Sequence, residues 1–221
     1  MVQTAQHSVP GESPLAVHGK CNHPRVRQVL LDLSRGLIAV DQGHGDIHDY
    51  HIRLKPEHFE ARYNLALALE AQGNVDQAIE YFRKTVELRP DHAMAQARLG
   101  MALCSKGAIQ EGLAPLSRAV DLDPANIEAR YHLAVNLARV NQHNRAISHF
   151  LQVLRLNPGN TNALMSLATS YAQTNQIDKA LSSLEEALQI AKSAGDQKLI
   201  DLIAKQIKLC RQRIGTGKTG R

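Results

Sequence analysis

His44, His48 and His51 are interleaved with Asp46 and Asp49. On a helix such spacing would gather imidazoles and a carboxylate on one side, the donor set that holds a divalent metal. Gly43 and Gly45 disfavour helix where that segment would begin. Surface histidines at an eroded end of the fold account for the cluster, and no metal is expected. At the other end, Gly215-Thr-Gly-Lys-Thr-Gly carries half of a phosphate-binding loop. The first glycine of that motif would fall on Gln212 and no strand precedes it, so no helix N-terminus is poised to meet a phosphate. Cys21, Cys104 and Cys210 are too few and too scattered for a disulfide framework or a zinc knuckle, as in a reducing compartment. No other histidine, cysteine or serine gains a chemical partner from the periodicity described next. The chain is therefore expected to have no catalytic residues and no cofactor.

The elements that would position any site are set by a repeat. Pro56, Pro90, Pro124 and Pro158 are spaced 34 residues apart, and each ends a similar phrase, such as Val86-Glu-Leu-Arg-Pro and Leu154-Arg-Leu-Asn-Pro. Phased on them, 59–92, 93–126, 127–160 and 161–194 align without insertion, which is the mark of a stacked solenoid. Within each unit Leu65, Leu99, Leu133 and Leu167 hold the seventh position, with alanine four residues earlier and Leu69, Leu103, Leu137 or Tyr171 four residues later. These spacings predict a first helix, A. A second set (Ala78, Ile79, Phe82, Val86 and its equivalents) predicts helix B. Between them sit Gly73, Gly107, Asn141 and Asn175, the residue types that enter the left-handed region at least cost. Ala or Gly fills the eighth and twentieth positions in all four units, where close helix packing excludes large side chains. Gly112 and Pro115 inside the second helix B predict a kinked or frayed helix.

Tyr63-Asn-Leu-Ala, Ala68, Gly73, Ala78, Phe82 and Pro90 resemble the tetratricopeptide repeat, and the other three units follow the same pattern. Two features depart from it. The aromatic common at the fourth position is Arg62, Gln96, Arg130 and Leu164 here, and the closing proline of the last unit is Lys192. The resemblance implies an all-α, right-handed superhelical solenoid that binds a protein or peptide in a concave groove lined by the A helices. Carried over by position, the groove comprises Glu60, Tyr63, Asn64, Leu67 and Glu70, then Met94, Ala97, Arg98, Met101 and Cys104. The third and fourth units add Glu128, Tyr131, His132, Val135, Arg139, Asn162, Met165, Ser166, Thr169 and Gln173. Methionine and tyrosine beside Asn and Arg suit an adaptable peptide-binding surface. Asn64 and Arg98 match two positions of the family's clamp for peptide carboxylates, while Val29, Leu33 and Met94 occupy its three others.

Outside the units, residues 1–24 have no long apolar run and are expected to be disordered. Residues 25–56 are expected to be a degenerate N-terminal capping repeat, with one amphipathic helix over 25–40 and a shorter one over 46–54. A capping helix is expected over 197–213, followed by a basic tail at 214–221. The chain carries 26 Lys and Arg against 21 Asp and Glu. From Lys192 onward eight cations face only Asp196 and Asp201, so the excess belongs to that end. Without interleaved aromatics for base stacking, nucleic acid is not an expected partner. With no apolar run to span a bilayer, a cytoplasmic scaffold is expected. Two alternatives remain open. The chain could be the repeat region or subunit accompanying an enzyme, since Ala187-Leu-Gln-Ile-Ala-Lys-Ser-Ala-Gly resembles arrays attached to bacterial glycosyltransferases; or the end at 25–56 could insert into another copy's groove.

Overall fold

The computed structural model describes residues 37–40, 52–54 and 59–218. Two short strands, β1 (Leu37–Val40) and β2 (Ile52–Leu54), pair antiparallel, Leu37 opposite Leu54 and Val40 opposite Ile52 with an irregular register between. This corrects the helices expected through residue 40 and over 46–54. Leu-Ile-Ala-Val and Ile-Arg-Leu carry β-branched residues, which favour strand over helix. The rest of 1–58, including the histidine cluster and the Val29 and Leu33 clamp positions, lies outside the described residues.

Nine helices follow among the described residues, forming an all-α solenoid of hairpins. The A helices are α1 (Phe59–Ala71), α3 (Ala93–Ser105), α5 (Ile127–Arg139) and α7 (Thr161–Gln173). The B helices are α2 (Val75–Leu88), α4 (Ile109–Leu122), α6 (His143–Leu156) and α8 (Ile177–Ala194), and α9 (Gln197–Lys218) closes the stack. Each helix packs on the next in sequence. The hairpin turns use Gly73 (φ 82°), Gly107 (φ 88°), Asn141 (φ 61°) and Asn175 (φ 60°), as the left-handed requirement predicts. All eight small residues at the helix crossings are buried.

Each A helix after the first is capped by the residue just before it. His92 Nδ1 accepts from the Ala95 N–H at 3.1 Å, Asn126 Oδ1 from Ala129 at 2.9 Å and Asn160 Oδ1 from Ala163 at 3.0 Å. Such caps satisfy orphan amides and contribute about 1 kcal/mol each. In the second and third units the fourth position, where the family favours an aromatic, serves the connections instead. The Gln96 amide donates to the Pro90 carbonyl at 3.0 Å and Arg130 Nη2 to the Pro124 carbonyl at 2.8 Å, tying α3 and α5 to the turns before them.

Helix α4 runs unbroken through Pro115, so the expected fraying is not found. Packing holds it on both sides of the proline. A Cβ on Gly112 would stand 2.7 Å from the Gly100 carbonyl oxygen, and Leu116, Ala119 and Val120 are all buried. The buried residues fall into two clusters that divide along α3. Leu99, Ala102 and Leu103 face back toward the first hairpin, and Ala97 and Cys104 face the third.

Candidate functional site

The face implied by family position is formed by successive A helices, and side chains from three of them meet on it. Arg98, on α3, faces a carboxylate of the first hairpin. Its Nη1 is 3.8 Å from Glu70 Oε2 on α1, and Arg98 and Glu128, on α5, both act electrostatically on Glu70 and on His132. The Arg98 guanidinium also acts electrostatically on the Tyr63 hydroxyl. Burial raises the pKa of the Tyr63 phenol, against the pull of Arg98, and burial raises that of the Glu70 carboxyl, again partly offset by Arg98. Burial lowers the His132 imidazole, with Glu128 opposing and Arg98 reinforcing. Tyr63, Glu70, Arg98, Glu128 and His132 thus form one electrostatic unit spanning three hairpins.

The tyrosines of this face rest on the core. Tyr63 lies 6.0 Å from Phe82 and Tyr131 lies 6.1 Å from Phe150, ring centre to ring centre. Tyr131 also meets His132 edge-on at 5.7 Å. In the second hairpin the same two positions are Ala97 and Leu116. The small side chain there is drawn inward, and Ala97 is only 2% exposed. Cys104, at 4% exposure, is likewise buried, and burial pushes its thiol pKa up. Ala97 and Cys104 therefore leave the implied groove surface and join the core, the thiol as an inert packing group.

The other implied residues remain accessible. Asn64, Leu67, Met101, Val135, Met165 and Ser166 are half-buried, while Glu60, Met94, Arg139, Asn162, Thr169 and Gln173 are exposed. Met94 accepts a hydrogen bond at its sulfur from Asn126 Nδ2 at 3.6 Å, and Arg139 Nη1 donates to Asn136 Oδ1 at 3.1 Å. A shallow hollow opens between α5 and α7, lined by Val135, Arg139, Ser166, Thr169, Gln173 and the edge of Phe150. No group of three or more His, Cys, Asp or Glu side chains with metal-binding geometry occurs among the described residues. Gly215–Lys218, part of the phosphate-loop look-alike, lie in the last turn of α9 rather than in a loop.

The sequence reading passed over the cap residues and the fourth-position ties. Their signal was present as Asn or His immediately before three A helices, at the same 34-residue spacing as the prolines.

Two family models, both described as tetratricopeptide repeat, match the chain, one over residues 49–93 and 63–127 and the other over 137–198. The chain belongs to the tetratricopeptide repeat family. A crystal structure of MamA is 25% identical, with 64% of this chain and 82% of that one covered and a TM-score of 0.61. A second MamA structure, from AMB-1, is 20% identical over 75% of this chain and 88% of that one, with a TM-score of 0.60. A MamA from Desulfovibrio magneticus RS-1 is 15% identical over 70% and 96%, with a TM-score of 0.57. What these two more distant structures share with the present one is the fold. No curated protein matches the chain. Membership of this family makes the molecule a protein-interaction scaffold in the general sense. No helix among the described residues is long and apolar enough to cross a membrane.

Proposed function

We propose that this tetratricopeptide repeat protein is a non-catalytic adaptor that takes a segment of a partner protein along the face of its A helices. The observation that carries this reading is the joining of Tyr63, Glu70, Arg98, Glu128 and His132 across three hairpins, flanked by half-buried Met101, Tyr131 and Met165. Charged and hydrogen-bonding groups fixed beside adaptable apolar surface are what peptide recognition requires. A bound segment would draw polar contacts from Asn64 and Arg98 and bury apolar groups against Met101 and the two tyrosines.

The double change Arg98→Glu, Met101→Asp should remove most partner binding, since truncating hot-spot residues commonly costs about 2 kcal/mol or more, about thirtyfold in affinity. Glu80 and Lys84 pair with each other on the exposed side of α2, and exchanging their charges should leave binding nearly intact. Partners are captured on the parent and both variants, with helical content verified by circular dichroism. If the Arg98/Met101 variant retains the partners while the Glu80/Lys84 variant loses them, binding lies on the B-helix side and the reading fails.

A further inference from the structure

Helix α9 is more than a lid on the last hairpin. The other B helices have 14 residues and are followed by four-residue connections, whereas α8 has 18 and is followed only by Gly195 and Asp196. The added helix and the shortened connection together start α9 two residues later than the period requires. With that shift, α9 falls into the A-helix pattern. Asp196 immediately precedes it and caps it, Oδ1 accepting from the Leu199 N–H at 3.0 Å, as His92, Asn126 and Asn160 cap theirs. Leu199, Ile203 and Ile207 take the third, seventh and eleventh positions, and Ile203 (0% exposed) and Ile207 (7%) are buried as their equivalents are. Ala204 takes the eighth position, which is buried in all four hairpins, and it is exposed here, with no B helix packed against it among the described residues.

In that register the positions equivalent to the proposed groove are Lys198, Asp201, Leu202, Lys205, Lys208 and Leu209. All six are exposed, the two leucines at 48% and 54%. Side chains six and thirteen positions into the helix share one side, so Leu202 and Leu209 form an apolar strip bordered by three lysines. Asp201 is engaged by the Gln197 amide at 2.8 Å. At the opposite end, α1 offers Glu60 and Glu70 on the equivalent positions and no cation, and α7 between them offers no charge at all. The face is therefore basic at α9, whereas both carboxylates at α1 face arginines, Glu60 with Arg89 and Glu70 with Arg98, each at 3.8 Å.

We propose that α9 is a fifth wall of the groove, and that it receives the acidic, apolar part of a partner: a segment carrying carboxylates beside leucine-sized side chains. This rests on the groove reading above and adds a direction to it. The carboxylates meet Lys198, Lys205 and Lys208 while the apolar groups cover Leu202 and Leu209, so binding is both salt-dependent and dependent on apolar side chains.

The test uses the full chain and three labelled synthetic peptides of one length: leucine with glutamate, leucine with lysine, and serine with glutamate. Fluorescence anisotropy should show binding of the leucine–glutamate peptide alone. Leu202→Asp with Leu209→Asp should weaken it by about tenfold or more. Lys205→Glu with Lys208→Glu should weaken it and flatten its salt dependence, and Arg118→Glu, on exposed α4 surface, should leave it unchanged. Because the two leucines are exposed, helical content and melting should match the parent. Equal binding of the leucine–lysine peptide, equal binding of the serine–glutamate peptide, no measurable binding, or indifference to the leucine changes each overturns the proposal. A doubled light-scattering mass abolished by the leucine changes assigns the strip to a second copy, and also overturns it. The Arg98/Met101 variant separates the two readings. If it alone loses captured partners while the α9 variants bind peptide normally, the groove stands and the fifth wall falls. If it keeps its captured partners while only the α9 variants lose the peptide, the α9 strip binds acidic, apolar segments by itself and the central groove reading falls.

Discussion

The second hairpin and the α8–α9 end obey the same periodic pattern with opposite results. In the second hairpin two glycines bring backbones together: a Cβ on Gly100 would stand 2.6 Å from Leu116 Cγ, and one on Gly112 would stand 2.5 Å from Cys104 Sγ. That crossing leaves no room for adjustment, Pro124 closes the unit on time, and Asn126 starts the next A helix in phase. At the other end Lys192 replaces the proline. Nothing stops α8, which continues to Ala194 and ends at Gly195 in the left-handed region (φ 70°). Two residues of phase are lost, and α9 is left with an exposed small-residue position and exposed leucines. A locked crossing preserves the repeat, and a missing stop lets it drift.

The largest change should come from breaking the lock. Gly112→Leu drives a side chain into the Gly100 carbonyl and Cys104, and overpacking against backbone is expected to cost about 3 kcal/mol. Because repeats couple chiefly to their neighbours, hydrogen exchange should show protection lost first over 93–126 and retained longest in α8 and α9. Unchanged protection across 93–126 would show that the crossing is not tight.

Restoring the stop should not restore the repeat. Lys192→Pro removes a helical N–H near the end of α8 and disturbs the carbonyl that accepts from Gly195 at 3.1 Å, costing up to about 3 kcal/mol locally. Protection over 197–213 should fall while α1–α6 stay as they are. An unchanged C-terminal end would mean that the α8 extension does not set the register of α9.

The smallest effect separates interior from end by acid. His132 and His149 both have imidazole pKa values lowered by burial. Arg98 deepens the shift at His132 against Glu128, and Arg130 and Arg145 deepen it at His149 against Asp121. The unfolded chain therefore takes up protons first. Stability is full above about pH 6.5, falls as pH drops below it, and levels off once the folded pKa values are passed. The loss should appear in the third hairpin and not in α8–α9, which has no histidine. His132→Gln with His149→Gln should flatten the melting temperature between about pH 7.5 and 5.5; an equally steep profile would assign the acid sensitivity elsewhere.

Much of this molecule was legible in the chain because a solenoid is made of local contacts. Leucine and alanine at helical spacing, glycine or asparagine at the left-handed turns, and proline after the first three B helices act within one hairpin, so their meaning survives without a view of the whole. The candidate face was legible only in part. Position alone placed Ala97 and Cys104 on it, but their neighbours Leu116 and Gly112 are small enough, or close enough, to draw them into the core, and such depth depends on the facing helix. The joining of Tyr63, Glu70, Arg98, Glu128 and His132 likewise needs three helices side by side, since charges some thirty residues apart in sequence interact only once stacking sets their distance and removes water between them. The strand pair at 37–40 and 52–54 arose where apolar pattern alone could not separate a short helix from a strand, and pairing decided it. The two-residue slip at α9 is the clearest division. The loss of proline at 192 was plain in the sequence, but where the next helix would resume was set by how far α8 could continue before Gly195 and by which leucines and isoleucines its exposed end could then bury.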